Sequence, residues 1–169
     1  MGNWTVGDDI CDGVGESRIF ADDFSGDDYF FIINSAILKS GYRYGVYFRA
    51  TDPNAVDGYI FQYDQKHETG AFVFRKWLNG YEIWKPLAVE PAPLDYDWYN
   101  IDRQIQLNVI GDTFTLSIDG QEIMTVVDDT YSKGGIGFRT WSGETKACFS
   151  DISISNPKIF DTRERIVFL

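Results

Sequence analysis

The sequence has no stretch approaching the ~18 consecutive apolar residues of a membrane-spanning helix, so membrane insertion is not expected. Positive charge is scarce: 15 Lys and Arg stand against 26 Asp and Glu, giving a net charge of −11 and a pI near 4.4. Such a surface repels phosphates, which argues against nucleic acid and anionic membranes as partners. Histidine is nearly missing, and the single one, His67, sits in an expected loop beside Asp64 and Glu68. There is no zinc-ligand pair, no G-x-S-x-G elbow and no phosphate-cradling glycine loop. No amphipathic helical period appears either. No leader peptide opens the chain, and Met1-Gly2-Asn3 reads as the start of a domain whose gene product is expected to be longer.

Cysteine is limited to Cys11 and Cys148, near opposite ends of the sequence. In a β-sandwich the first and last strands are often neighbours, so a bridge is geometrically open to them, with two buried free thiols as the alternative. A bridge would close a very long loop and contribute about 3–5 kcal/mol in the chain-entropy picture.

What the chain has in quantity is aromatic residues, 17% of the total with 13 Phe, 10 Tyr and 5 Trp. These residues favour strands and flat exposed platforms. The central stretch from Tyr44 to Trp77 divides into three expected strands, Tyr44–Ala50, Gly58–Asp64 and Gly70–Trp77. Side chains alternate across a strand. With Val46 and Phe48 toward a core, Tyr47 and Arg49 face the other way. The same rule sets Ile60, Gln62 and Asp64 against Tyr59, Phe61 and Tyr63, and Val73, Arg75 and Trp77 against Phe72 and Phe74. One face is therefore expected to carry Arg49, Gln62, Asp64, Arg75 and Trp77.

Further strands are expected at Asn3–Val6, in the apolar run Tyr29–Leu38, and at Tyr81–Ala88 after an Asn79-Gly80 hairpin. Pro86, Pro91 and Pro93 then enforce an irregular crossing. Alternating Ile105, Leu107, Val109 and then Phe114, Leu116, Ile118 give two more strands, the second ending in an Asp119-Gly120 turn. Ile123–Val127, Gly134–Trp141 and Ala147–Ser155 complete the set. About a dozen strands at turn-separated spacing indicate an all-β, two-sheet antiparallel jelly-roll sandwich. One domain over 1–156 and a tail or linker over 157–169 are expected.

Arg139 and Trp141 alternate with inward Ile136 and Phe138, matching the central strands. If that strand borders them, Arg49, Gln62, Asp64, Arg75, Trp77, Arg139 and Trp141 form a candidate glycan-binding face. Sugars need flat rings against their C–H faces and planar donors or carboxylates for their hydroxyls. The plainer alternative is that guanidinium groups stack on indoles over a solvated sheet. The acidic passage from Gly7 to Asp28 offers Asp8, Asp9, Asp12, Asp22 and Asp23 as ligands for calcium, with Asp151 joining if the first and last strands pair. No EF-hand spacing is present.

The segments GVYFRATD, GYIFQYDQKH, FVFRKW, IDGQ, DDTYSKGGIGFRTW and ACFSDISIS together resemble laminin-G/concanavalin-A-like sandwich domains. Within that group they are most similar to the fructan-binding carbohydrate-binding modules of levanase-type enzymes, and similar domains occur on bacterial surface and pilin-like proteins. The resemblance covers about Tyr42 to Ser155. It implies a non-catalytic, lectin-like module on an extracellular or cell-surface protein, with a glycan as partner and a structural calcium as a frequent accessory. Two alternatives stand beside it: the adhesive or structural head of a surface appendage, and a glycoside hydrolase of the same fold with Asp64 and Glu82 as the carboxylates to test first.

Overall fold

The computed structural model describes residues 4–6, 9–12, 16–51, 54–157 and 164–165. They form strands only: β1 (Trp4–Val6), β2 (Asp9–Asp12), β3 (Ser17–Phe20), β4 (Tyr29–Ser40), β5 (Arg43–Ala50), β6 (Gly58–Asp64), β7 (Ala71–Leu78), β8 (Tyr81–Glu82), β9 (Ala88–Pro91), β10 (Arg103–Ile110), β11 (Thr113–Ile118), β12 (Gln121–Val127), β13 (Gly135–Thr140), β14 (Lys146–Ser155) and β15 (Glu164–Arg165). One sheet runs β1-β2-β14-β4-β10-β11-β12, with β15 also on β14; the other runs β3-β13-β5-β6-β7-β8, with β9 also on β7. No helix among the described residues is long and apolar enough to cross a membrane. The expected two-sheet antiparallel sandwich is the observed one.

Alternation builds the core between the sheets. Phe31, Ile33, Leu107, Val109, Phe114 and Leu116 face inward from the first sheet; Tyr44, Val46, Phe48, Tyr59, Phe61, Phe74 and Phe138 meet them from the second. Rings close the gap: Phe48 and Tyr59 lie 5.1 and 4.7 Å from Phe114, and Phe138 stacks on Phe149 at 4.2 Å. Such ring pairs add specific geometry to the burial of large apolar areas. The two expected hairpin turns form as read, with both residues of Asn79-Gly80 and of Asp119-Gly120 at positive φ (51° and 81°, 52° and 78°). That is the backbone a two-residue turn requires to match strand twist.

Cys11 and Cys148 lie opposite one another where β2 pairs with β14, their Cα atoms 4.2 Å apart, and they are disulfide-bonded. The bridge ties the beginning of the chain to its last long strand.

Two departures from the sequence expectation lie in the second sheet. Ser17–Phe20, inside the acidic passage, is a strand that turns Ser17 and Ile19 inward and edges the second sheet against β13. The expected strand Tyr81–Ala88 is broken: β8 stops at Glu82 and pairing with β7 resumes only at β9. Pro86 lies inside the break, where it has no amide hydrogen to give the ladder. In the first sheet, Glu164 and Arg165 pair with Ile154 and Ser153 of β14.

Candidate functional site

The outer face of the second sheet is built in transverse rows. In one, Arg18, Arg139, Gly45, Gln62 and Val73 lie side by side across β3, β13, β5, β6 and β7. In the next, Phe20, Gly137, Tyr47, Ile60 and Arg75 do the same. Trp77 follows along β7, opposite Glu82 of β8. Gly45 leaves room where a side chain would collide with Ile60 and crowd the Trp141 ring. The floor of this face is therefore apolar: Tyr47, Ala50, Val56, Ile60 and Trp77 are buried together, with Phe20 against them.

Arginines roof that floor. The Arg18 and Arg139 guanidinium carbons each sit 4.7 Å from the Trp77 ring centre, and Arg139 is also 4.5 Å from that of Trp141. Arg139 is thus held by two indoles, and its stem and head cover surface that would otherwise meet water. Its Nη2 donates to Glu16 Oε1 at 2.7 Å and its Nη1 to Glu82 Oε2 at 3.4 Å. Glu82 is the hub: it also accepts from Gln62 Nε2 at 2.7 Å and pairs with Arg75 Nε at 3.3 Å. Arg75 Nε in turn donates to Gln62 Oε1 at 3.2 Å. Beneath this network Tyr47 Oη, Trp77 Nε1 and Arg139 Nε are buried and have no hydrogen-bond partner among the described residues. Burial raises the Tyr47 hydroxyl to about 12, against the lowering effect of Arg139 and Arg18. It therefore remains protonated, and able to donate, across the physiological range.

The structure brings Gln62, Arg75, Trp77, Arg139 and Trp141 together, as the alternation implied. Asp64 lies on the same face at the end of β6, where Arg43 covers it: their ion pair spans 3.2 Å and its carboxylate also accepts from the Lys66 amide. Burial raises its carboxyl above the usual range despite Arg43. Trp77 is only 3% exposed, so its ring is not open to a ligand as a sugar-stacking platform on this face would be. The cause is the Arg18 and Arg139 cover.

Arg49 lies elsewhere. A register shift in the β5–β13 pairing and a φ of +46° take it out of the alternation. Its guanidinium donates to the carbonyls of Asp27 and Tyr131, at 2.7 and 2.9 Å, and lies 5.1 Å from the Phe114 ring of the opposite sheet. At 2% exposure it joins loops to the sandwich.

Glu16, Arg18, Arg43 and Tyr47 belong to this face but were not among the expected site residues, and Glu82 was named only as a hydrolase carboxylate. Arg18 had a signal, since it alternates with Ser17 and Ile19; Glu16, just ahead of the strand, had none.

Of the aspartates expected to hold calcium, Asp8 lies outside the described residues, and the side chains of Asp9 and Asp12 lie outside the description. Asp22 and Asp23 are exposed, while Asp151, in the other sheet, accepts from Asn34 Nδ2 at 2.8 Å. Among the described residues no group of three or more His, Cys, Asp or Glu is arranged to hold a metal, so the described aspartates do not fit a calcium site.

No protein-family model matches the chain, and no curated protein matches it. Solved structures do. A carbohydrate-binding module, CBM66, from Bacillus subtilis superposes with a TM-score of 0.77 at 24% identity over 92% of each chain. The exoplasmic/lumenal domain of VIP36 in its Ca2+/Man-bound form gives 0.76 at 10% identity, over 100% of this chain and 87% of that one. A β-glucanase from Bacillus licheniformis gives 0.62 at 14%, over 88% and 79%. At these identities the likeness is one of fold: the chain is a concanavalin-A-like jelly-roll sandwich, an architecture that carries binding proteins and an enzyme alike.

Proposed function

We propose that this protein is a non-catalytic carbohydrate-binding module that holds an extracellular glycan on the outer face of its second sheet, thereby targeting an attached enzyme or a cell surface. The observation that carries this reading is the Glu82 hub, a carboxylate fixed by Arg75, Gln62 and Arg139, with Arg139 itself fixed by two indoles. Neighbouring sugar hydroxyls each donate and accept, and they are matched by carboxylate and guanidinium edges held side by side. Glu16, Arg18, Arg75, Glu82, Arg139 and Trp141 are the contacting residues in this reading. Gln62, Asp64 and Trp77 support them from below, and Arg49 supports the fold. The carbohydrate-binding and lectin structures of the same fold favour a glycan as the partner. The disulfide favours an oxidising, extracellular setting.

Hydrolysis is disfavoured because Asp64 is closed off by Arg43 and paired with it rather than facing a substrate cleft with Glu82. A structural calcium is tested by melting, and identical curves in EDTA and in calcium remove it. The function is tested on a glycan array with the wild type and Glu82→Gln. Retention by the wild type and loss in the variant is the expected result. A blank array refutes the reading and turns attention to a protein-binding adhesive head.

A further inference from the structure

The break between β8 and β9 is a built feature of the site. Ile83 N still donates to Lys76 O, and Leu87 N donates to Phe74 O, so the chain tracks β7 on either side of a bulge that stands opposite Arg75. Inside the bulge, no backbone donor among the described residues reaches the carbonyls of Ile83 and Trp84. Arg75 Nη1 donates to both, to the Ile83 carbonyl at 3.5 Å and to the Trp84 carbonyl. The same guanidinium pairs with Glu82. The bulge is therefore pinned to the hub of the glycan face, and bulges beside sites commonly re-aim a side chain. The side chain concerned is Trp84, which is 91% exposed. A lone exposed apolar residue is unremarkable. An indole whose main chain is held by a site arginine is another matter, because the backbone that carries it is fixed before any ligand arrives.

We infer that Trp84 is a second stacking platform, and that the ligand is an extended oligosaccharide lying across the strands rather than a single sugar unit. The inference rests on the glycan reading of this face. Trp141, at the end of β13, and the bulge beyond β7 are separated by β5, β6 and β7. At the usual spacing of about 4.8 Å between strands, that separation is about 19 Å. No single sugar ring spans it, so a ligand that touches both indoles has several units, with its middle over Glu82, Arg75 and Arg139.

The test is isothermal titration of the full chain with fructan, glucan, mannan and galactan oligosaccharides, each from disaccharide to octasaccharide. Wild-type affinity should rise with length in the series that binds. In Trp84→Ala the ratio of long-chain to short-chain affinity should fall about five- to hundredfold, the range for a lost ring-stacking contact. Trp84→Phe should restore part of it, and melting should be unchanged because the indole is on the surface. Glu82→Gln should weaken every length. If affinity does not rise with length, or Trp84→Ala keeps the wild-type ratio, the extended platform is refuted while the Glu82 site stands. If no member of the panel binds, the glycan reading is refuted and the inference with it.

Discussion

Replacing Trp77 with alanine would remove an indole that is packed against Tyr47 and roofed by two guanidinium groups. Tyr47 meets it edge-on with ring centres 5.7 Å apart, and Ala50, Val56 and Ile60 share its cluster. Truncating a buried aromatic side chain to alanine costs about 3–5 kcal/mol. The Arg18 and Arg139 contacts, each 4.7 Å from the ring, contribute about 0.5–1 kcal/mol apiece where solvent is near, and Arg139 keeps Trp141. A loss of about 4 kcal/mol follows. For a chain of this size that corresponds to about 8–16 °C in melting temperature. Urea unfolding is the assay: the midpoint should fall with the slope unchanged, while Trp84→Ala stays within about 0.5 kcal/mol of wild type. A double-mutant cycle with Arg18→Met isolates the guanidinium contact from the packing. A cost below about 1 kcal/mol for Trp77→Ala would refute the burial of this indole and the arginine roof with it.

Reducing the Cys11–Cys148 bridge, which spans 137 residues of sequence, should destabilise the fold by about 5 kcal/mol in the chain-entropy picture; coincident melting curves with and without reductant would count against the bond. Arg49→Met should cost about 3 kcal/mol or more, because the Asp27 and Tyr131 carbonyls lose a charged donor, and yet leave glycan binding intact; a binding loss without destabilisation would return Arg49 to the ligand face. Asp128 controls part of the acid limb. Burial alone would raise its carboxyl, but hydrogen bonds from Lys76, Thr130 and Tyr59 hold it well below the usual range. Its contribution is present above its unfolded value of about 3.9 and is lost as the pH falls below that, so Asp128→Asn should flatten the acid limb there. An unchanged acid limb in that variant would refute this assignment.

The alternation in β5, β6 and β7 was legible because it is a local property: Tyr47, Ile60, Gln62, Val73, Arg75 and Trp77 are all on the face that parity assigns them. Trp77 shows where parity stops. It fixes a side of the sheet and not a depth, and the arginines that bury Trp77 arrive from β3 and β13, far away in sequence. Arg49 fails for a related reason. Its positive φ accompanies a shift in the pairing with β13, so its departure from alternation is set by a tertiary neighbour and not by its own segment. The broken strand after Glu82 did leave a trace, since Pro86 sits where a ladder donor would be needed.

The second sheet carries apolar residues on both faces, although among the described residues no further layer covers its outer face. Tyr47, Ile60 and Val73 there are fully buried, and arginine side chains take the place that a third layer of structure would occupy. The arginines therefore have two duties that a single substitution confounds. Removing Arg139 would uncover the floor, take one donor from each of the Glu16 and Glu82 carboxylates and alter any sugar contact at once. Glu82→Gln separates the duties better, because it keeps the shape and an acceptor while removing the charge that Arg75 and Arg139 share. A face held this firmly before binding loses little side-chain freedom to a ligand, about 0.5–1.5 kcal/mol less for each side chain already immobilised. On the glycan reading, the packing of Trp77 therefore sets affinity through the arginines it holds in place.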